Sequence, residues 1–250
     1  MSGIALLFTL AFVGVTMLIS VWQKLGLERD IAVGTVRSAL QLLLVGYVLQ
    51  YVFGMQHPAL ILLIVAVMIG VASWNAGQRT KGLPGIRRRI ALSLAATELL
   101  TVGLLTGLGI IEPTPQYLIP LSGITIGSAM IVSGLYLNQM RRELESSRGE
   151  IEALMALGAT EKQALQDALK RSVRSSMIPT VDGMKTVGLV QLPGMMTGMI
   201  VAGADPVEAV RYQILIMFVL ASSAAVTSML LSHASYKLWF DREGRLRRNL

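Results

Sequence analysis

The sequence predicts an all-α, polytopic integral membrane protein with about seven transmembrane helices and one cytoplasmic helix–elbow–helix insertion. Of its 250 residues, 53% are hydrophobic, which is too large a share for an ordinary soluble domain. Apolar stretches of about 20 residues, the length that crosses a bilayer, recur along the chain. Its basic residues cluster in alternate loops, which is the pattern of membrane topology rather than of nucleic-acid binding. We therefore interpret residues 1–250 as a single transmembrane domain in a lipid bilayer, with no nucleic-acid partner.

Seven apolar stretches give the predicted spans. In chain order these are about Ile4–Val21, Ile31–Phe53, Ala59–Ala76, Ile90–Ile111, Tyr117–Asn138, Thr186–Gly203 and Val210–Tyr236. No Lys or Arg precedes the first span, so we expect a retained helix rather than a cleaved signal peptide. Pro193 and Gly194 interrupt the sixth span and must disturb its helix.

The positions of the basic residues support this division. The loops after spans one, three, five and seven hold 2, 5, 8 and 5 Lys or Arg residues, which together are 20 of the 22 in the chain. The turns after spans two, four and six hold none, and only Arg37 and Arg211 fall outside the count. This alternation predicts an N-terminus outside and a C-terminus in the cytoplasm.

The long polar segment, residues 139–185, is then cytoplasmic. Its first short helix carries an apolar stripe of Ile151, Leu154 and Met155. Gly158 and Ala159 end this helix. Thr160 and Gln163 form a capping box that starts a second helix, in which Pro179 is an expected break. Such an amphipathic elbow suits docking onto another protein, and the alternative is a solvated loop that merely joins two spans.

Ionisable residues inside a membrane are candidates for function. Arg37 and Gln41 lie in span two, where a place in a pore competes with snorkelling of Arg37 to the interface. Glu98 lies in the middle of span four. It would pair with Arg37 or with a transported cation, or it would be a protonated carboxyl held by local hydrogen bonds.

The sixth span and the residues directly before it supply the other candidates for a translocation pathway. They are Asp182, Lys185, Gln191, Pro193, Met195, Met196 and Met199. A broken helix often marks a transport site, and thioethers are soft ligands for some transition metals. Methionine is also a common filler of gaps in apolar helices, which leaves the metal ligands unknown.

Several chemistries are excluded by composition. The chain has no Cys, which excludes disulfides and thiolate sites, and its two His residues cannot form a His-rich metal site. The phosphate-binding pattern G-x-x-x-x-G-K-[ST] does not occur. We expect no cofactor in this chain, and any ATP-driven work would need a partner that hydrolyses the nucleotide.

Two stretches resemble known families. The stretch from Glu152 to Thr160, EALMALGAT, resembles the coupling-helix loop of ABC-transporter permeases in its Glu-Ala-x-x-x-x-Gly spacing. The stretch from Ile178 to Ile214, IPTVDGMKTVGLVQLPGMMTGMIVAGADPVEAVRYQI, resembles the bacterial FetB (YbbM) permeases more specifically. RSALQL from Arg37 and VGYVL from Val45 share that resemblance, which covers essentially the whole chain. Plant aluminium-tolerance permeases belong to the same family.

The resemblance implies a function and a set of partners. It implies the permease subunit of an ABC transporter in the bacterial inner membrane, a transport subunit rather than an enzyme, exporting iron or another metal cation. The implied partners are a separate cytosolic ATPase and a second permease copy. The implied ATPase-coupling residues are Glu152, Leu154, Gly158, Ala159 and Thr160. The alternatives are an ABC permease for another solute, such as a nucleotide sugar, and a non-transporting membrane subunit that relays ATPase action to a partner.

Overall fold

A computed structural model describes residues 3–55, 57–78, 82–241 and 243–247. The described residues form ten α-helices, one short 3-10 helix and no β-strand, so the all-α prediction is confirmed. Contacts divide the chain into two compact units, Met1–His57 and Pro58–Leu250. A single domain over the whole chain stays a prediction.

The helices follow one another with short connections. In chain order they are α1 Gly3–Trp22, α2 Glu28–Met55, α3 Pro58–Gln78, α4 Ile86–Gly107, α5 Pro115–Ser146, α6 Arg148–Ala156, α7 Glu161–Ala164, α8 Gln166–Thr186, α9 Gly194–Val201 and α10 Pro206–Ser235. Within the described ranges, α2, α3, α4, α5 and α10 are long and apolar enough to cross a membrane. A shorter apolar helix, Phe8–Trp22, lies within α1. The chain is therefore a multi-pass membrane protein.

The sixth predicted span is interrupted over a longer stretch than expected. It is not one continuous helix, because α8 ends at Thr186 and α9 has only eight residues. Eight residues of helix cover about 12 Å, far less than the ~30 Å hydrocarbon core. Gly188 takes a positive φ of 83° between the two helices, and Pro193 is the N-cap of α9. The predicted disturbance at Pro193 is thus part of a longer interruption.

The expected break at Pro179 is wrong. Helix α8 continues through this residue to Thr186. A proline inside a helix removes one N–H donor and frees the carbonyl four residues earlier. Pro179 lies on an exposed part of α8, next to the exposed Ile178, where solvent can satisfy that carbonyl. The helix therefore tolerates the proline.

The first unit is a helical hairpin of α1 and α2. Ser20 is buried at its turn, where the hydroxyl donates to Glu28 Oε1 at 2.9 Å and accepts from the Leu27 N–H at 3.2 Å. Gly26, with φ 70°, allows the reversal. Most of the other described apolar side chains of this unit face outward, and Phe12 is 77% exposed. Outward apolar side chains are what the hydrocarbon of a bilayer requires.

The second unit is built around α5. This helix packs against α3, α4, α8 and α10. Its 32 residues extend about 48 Å, so it continues beyond the hydrocarbon and past its predicted end at Asn138. One buried cluster surrounds Tyr136, Leu137 and Met140 near its C-terminal end. A smaller cluster includes Leu121 near the other end.

Three of the basic loops meet at one end of this unit. The Arg89 guanidinium, at the start of α4, donates to the carbonyl of Ala234, at the end of α10. Lys162 Nζ lies 3.4 Å from His233 Nε2, which joins the polar segment to α10. Arg148 donates to the carbonyl of Arg247 in the C-terminal segment. We call this the basic end of the unit.

At the basic end, an arginine of α4 packs on a tryptophan of α3. The Arg87 guanidinium carbon lies 3.9 Å from the centre of the Trp74 ring, a cation–π contact. A Cβ atom on Gly77 would come within 2.6 Å of Arg87 Cγ. Gly77 therefore provides the space that this contact requires.

Replacing Gly77 with alanine is expected to displace Arg87 from Trp74, at a cost of about 0.5–1 kcal/mol. Thermal unfolding of the purified protein, followed by tryptophan emission, measures the change. Gly70→Ala is the matched control, because a Cβ on Gly70 of the same helix meets nothing within 4 Å. Equal unfolding midpoints for the two variants would contradict the role given to Arg87.

Candidate functional site

The predicted elbow is a rigid turn between α6 and α7. At the end of α6, the Gly158 N–H donates to the Met155 carbonyl and the Ala159 N–H donates to the Leu154 carbonyl, both at 3.0 Å. These two bonds form a Schellman motif, in which Gly158 adopts a φ of 93°. The predicted capping box of Thr160 with Gln163 is confirmed and starts α7. Capping motifs on both sides thus fix the backbone between two short helices.

The elbow is anchored on the core of the second unit. One face of its helices is buried with the C-terminal segment: Ile151, Ala164, Leu165, Ala168, Trp239 and Leu246. Arg171 Nε, on α8, donates to Glu143 Oε2 of α5 at 2.7 Å. This hydrogen bond raises the pKa of Arg171, which keeps the guanidinium charged at any physiological pH. The helix before Gly158, too short to be stable alone, is therefore held by tertiary packing.

The outer face of the elbow presents apolar and charged groups together. Leu157 is 86% exposed and Leu154 is 38% exposed. The carboxylate of Glu152 lies 3.1 Å from Arg148 Nη1, in an exposed ion pair along α6. Of the five predicted coupling residues, Glu152 and Leu154 lie on α6, and Gly158, Ala159 and Thr160 lie in the turn that follows it. Leu157 was not among the predicted coupling residues, although an apolar residue directly before the helix-ending glycine is a signal for it.

Glu98 lies at the interface of α4 and α5, inside the membrane-spanning part. Its side chain is 6% exposed, and its Oε2 atom accepts a 2.7 Å hydrogen bond from Thr125 Oγ1. Its Oε1 atom has no hydrogen-bond partner among the described residues. A buried carboxyl with one free oxygen is costly in a membrane, and it is a group that can take up a cation or a proton.

Hydroxyl groups continue from Glu98 along α4, α5 and α10. Thr97 Oγ1 and Thr227 Oγ1 are 2.8 Å apart, and Ser223 Oγ donates to the Thr125 carbonyl at 3.4 Å. All of these groups are buried. We call this row of buried hydroxyls the polar seam. The sequence analysis missed it, because single Ser and Thr residues in apolar spans carry no distinctive spacing.

The candidates around the sixth span do not converge on one site. Lys185 Nζ donates to Asp182 Oδ1 at 3.0 Å in an exposed pair on α8. The Gln191 carbonyl accepts from the Gly188 N–H at 2.9 Å, which closes the turn before Pro193. Of the three methionines, Met195 is 41% exposed, and Met196 and Met199 are half-buried.

Arg37 and Gln41 share one face of α2 in the first unit. They line an apolar groove of about 510 Å³ with Ala32, Val33, Val36, Leu40 and Leu44. A pairing of Arg37 with Glu98, which belongs to the second unit, stays a prediction. Among the described residues, no three His, Asp or Glu side chains form a group that could hold a metal ion. The metal ligands therefore remain unassigned.

Comparison with known proteins confirms the family resemblance. The family model described as "Uncharacterised protein family (UPF0014)" matches residues 3–240. The UPF0014 membrane protein YjkA of Bacillus subtilis (strain 168) is 43% identical over 249 residues, which cover 100% of both chains. The probable iron export permease protein FetB of Escherichia coli (strain K12) is 40% identical, over 97% of this chain and 93% of its own.

A plant relative is similar over most of its length. Protein ALUMINUM SENSITIVE 3 of Arabidopsis thaliana is 36% identical, over 95% of this chain and 87% of its own. No solved structure gives a significant match. The family match over nearly the whole chain agrees with the apolar helices of the structure, and the chain therefore belongs to the UPF0014 membrane permease family.

Proposed function

We propose that this protein is the permease subunit of an ABC transporter that exports iron or another metal cation, driven by a separate cytosolic ATPase. The elbow carries this proposal. It is a rigid, capped turn at the basic end, and it holds an 86% exposed leucine beside an exposed carboxylate. An apolar side chain held outside the membrane on a fixed backbone has the character of an interface anchor.

The cargo is the second part of the proposal. Glu98 supplies a buried carboxylate oxygen that lacks a partner in the described residues, and a metal cation would satisfy it. Hydroxyls of the polar seam would add neutral oxygen ligands. The similarity to a probable iron export permease favours iron as this cation.

Orientation and assembly complete the proposal. The basic end faces the cytoplasm, because loops rich in Lys and Arg stay inside. The N-terminus then lies outside, in a bacterial inner membrane. ABC ATPases act in pairs and each chain carries one elbow, so two permease copies would offer one elbow to each ATPase. The mass of the purified complex in mild detergent tests this homodimer, and a complex with one permease copy and full coupling would contradict it.

Changes at the outer face of the elbow test the docking. Leu157→Arg and Glu152→Arg are expected to lower ATPase capture by the tagged permease, because they remove an apolar anchor and reverse a charge. Glu145→Arg is the matched control. Like Glu152, Glu145 is exposed and pairs with an arginine four residues away, at 3.2 Å, but it lies on α5 and is not one of the predicted coupling residues. Equal capture of the ATPase by Glu152→Arg and Glu145→Arg would show that the elbow is only a linker.

A backbone change tests whether the shape of the elbow matters. Gly158→Ala forces a side chain into a left-handed conformation, at a cost of about 1–2 kcal/mol, and is expected to weaken ATPase-coupled hydrolysis. Gly149→Ala is the control, because Gly149 lies inside α6 where alanine favours the helix by about 0.5–1 kcal/mol. We expect both variants to insert normally. Coupled hydrolysis by Gly158→Ala at the level of Gly149→Ala would show that the rigid turn is dispensable.

A further inference from the structure

A large groove at the basic end lies between the polar segment and α10. Its volume is about 700 Å³. Its apolar walls come from α8, the last turns of α10 and the 3-10 helix that follows: Leu169, Val173, Met229, Leu230 and Tyr236. Its other lining residues include Lys162, Lys170, Arg174 and His233. We call this space the basic groove.

The charges in the basic groove have one sign. No Asp or Glu is among its lining residues. Within the described part of the chain, Lys162 and Arg174 form no ion pair, and Lys170 has only the exposed Asp167 at 4.0 Å. Three cations that share one opening without carboxylates repel one another. An anion bound among them would relieve this repulsion.

The walls determine which kind of anion fits. Met229 is 63% exposed on the membrane-spanning helix α10, so the apolar wall continues toward the hydrocarbon. The cations lie on α7 and α8, which are polar helices outside the spans. An occupant must therefore be apolar on the membrane side and anionic on the water side.

We propose that the basic groove binds an anionic phospholipid, with its phosphate among Lys162, Lys170 and Arg174 and an acyl chain along Leu169, Val173 and Met229. A basic pocket beside a membrane-spanning helix is a suitable place for an anionic head group. The lipid would join α7 and α8 to α10, next to the elbow. The proposal is independent of the ATPase, because it depends only on the groove and the bilayer.

Native mass spectrometry of the full-length protein tests this site, after extraction from vesicles of phosphatidylcholine mixed with phosphatidylglycerol. The parent is expected to retain phosphatidylglycerol in preference to phosphatidylcholine. The triple variant K162Q/K170Q/R174Q is expected to retain at least about tenfold less phosphatidylglycerol than the parent, because each basic residue contributes to the attraction. The matched control R141Q/R142Q/R245Q removes the same charge outside the groove and is expected to behave like the parent.

A second variant separates the lipid from a simple anion. Met229→Trp leaves every charge in place, but its larger side chain fills the space proposed for the acyl chain. It should therefore also reduce lipid retention. Equal loss in both triple variants would indicate only general surface attraction and would overturn the proposal. Displacement of the lipid by inorganic phosphate, or full retention of the lipid by Met229→Trp, would overturn the lipid proposal and indicate a site for a free anion. A dimer that dissociates in K162Q/K170Q/R174Q with unchanged lipid content would instead assign the groove to a second copy.

Discussion

Replacing Glu98 with leucine is expected to lower metal export strongly while making the protein more stable. The carboxyl is buried, and its Oε1 atom has no partner in the described structure. Leucine removes this free oxygen and has a similar size, which should raise the free energy of unfolding by about 1–3 kcal/mol. Thr125 keeps acceptors after the change, because its hydroxyl also bonds the carbonyls of Leu121 and Ser122 at 3.1 Å.

Two measurements on the same variant distinguish a cargo ligand from a packing residue. Metal retained by cells that express the permease with its ATPase reports export, and thermal unfolding in detergent reports stability. We expect export to fall by about 10-fold or more, as for loss of a group close to a metal. Thr106→Val is the control, since Thr106 lies on the same helix and bonds only the carbonyls of its own preceding turn. Normal export by Glu98→Leu would remove Glu98 from the pathway.

Replacing Trp239 with alanine is expected to cause the largest loss of stability, about 3–5 kcal/mol. This side chain is fully buried and packs in the same cluster as Ile151 and Leu165 of the elbow. Its main-chain carbonyl accepts from the Arg247 N–H at 3.0 Å, and the carbonyl of Arg247 accepts from Arg148 of α6. Removing the indole should therefore loosen the C-terminal segment and the elbow together.

Limited proteolysis checks this expectation, because a loosened C-terminal segment should be cut faster near Phe240. Trp22→Ala is the matched control, since Trp22 is 81% exposed and its removal leaves no cavity. Trp239→Phe should retain most of the stability, because it keeps a ring and removes an indole N–H that has no acceptor in the described residues. Equal cutting rates for Trp239→Ala and Trp22→Ala would contradict the anchoring role.

Local features were predictable from the sequence. The capping box of Thr160 and Gln163 spans four residues, and the helix stop at Gly158 depends on one backbone angle. Neither requires a distant partner. Hydrophobic spans were also found because their length is set by the bilayer. Their ends were less accurate, because α5 remains helical beyond Asn138, where packing on the elbow replaces contact with lipid.

Distant contacts were not predictable. Thr97 and Thr227 are 130 positions apart, and Thr125 lies 27 positions after Glu98. Single hydroxyl residues give no periodic signal from which such pairs could be inferred. The Leu238-Trp239-Phe240 run follows the predicted end of span seven at Tyr236, and only the folded structure shows it against the elbow. The prediction that Pro179 ends a helix was wrong. A proline frees the carbonyl four residues earlier, and only the folded structure shows whether solvent can satisfy that carbonyl.

The uninterrupted length of α5 has a mechanical consequence. Its last turns are tied to α8 through Glu143, while Thr125 holds Glu98 some 27 Å away along the same helix. No joint separates the two points, so the helix acts as a stiff lever. A tilt of about 5° at one end moves the other by roughly 2 Å over this length. If an ATPase docks on the elbow as proposed above, a push there would shift Thr125 by a distance comparable to its 2.7 Å bond to Glu98.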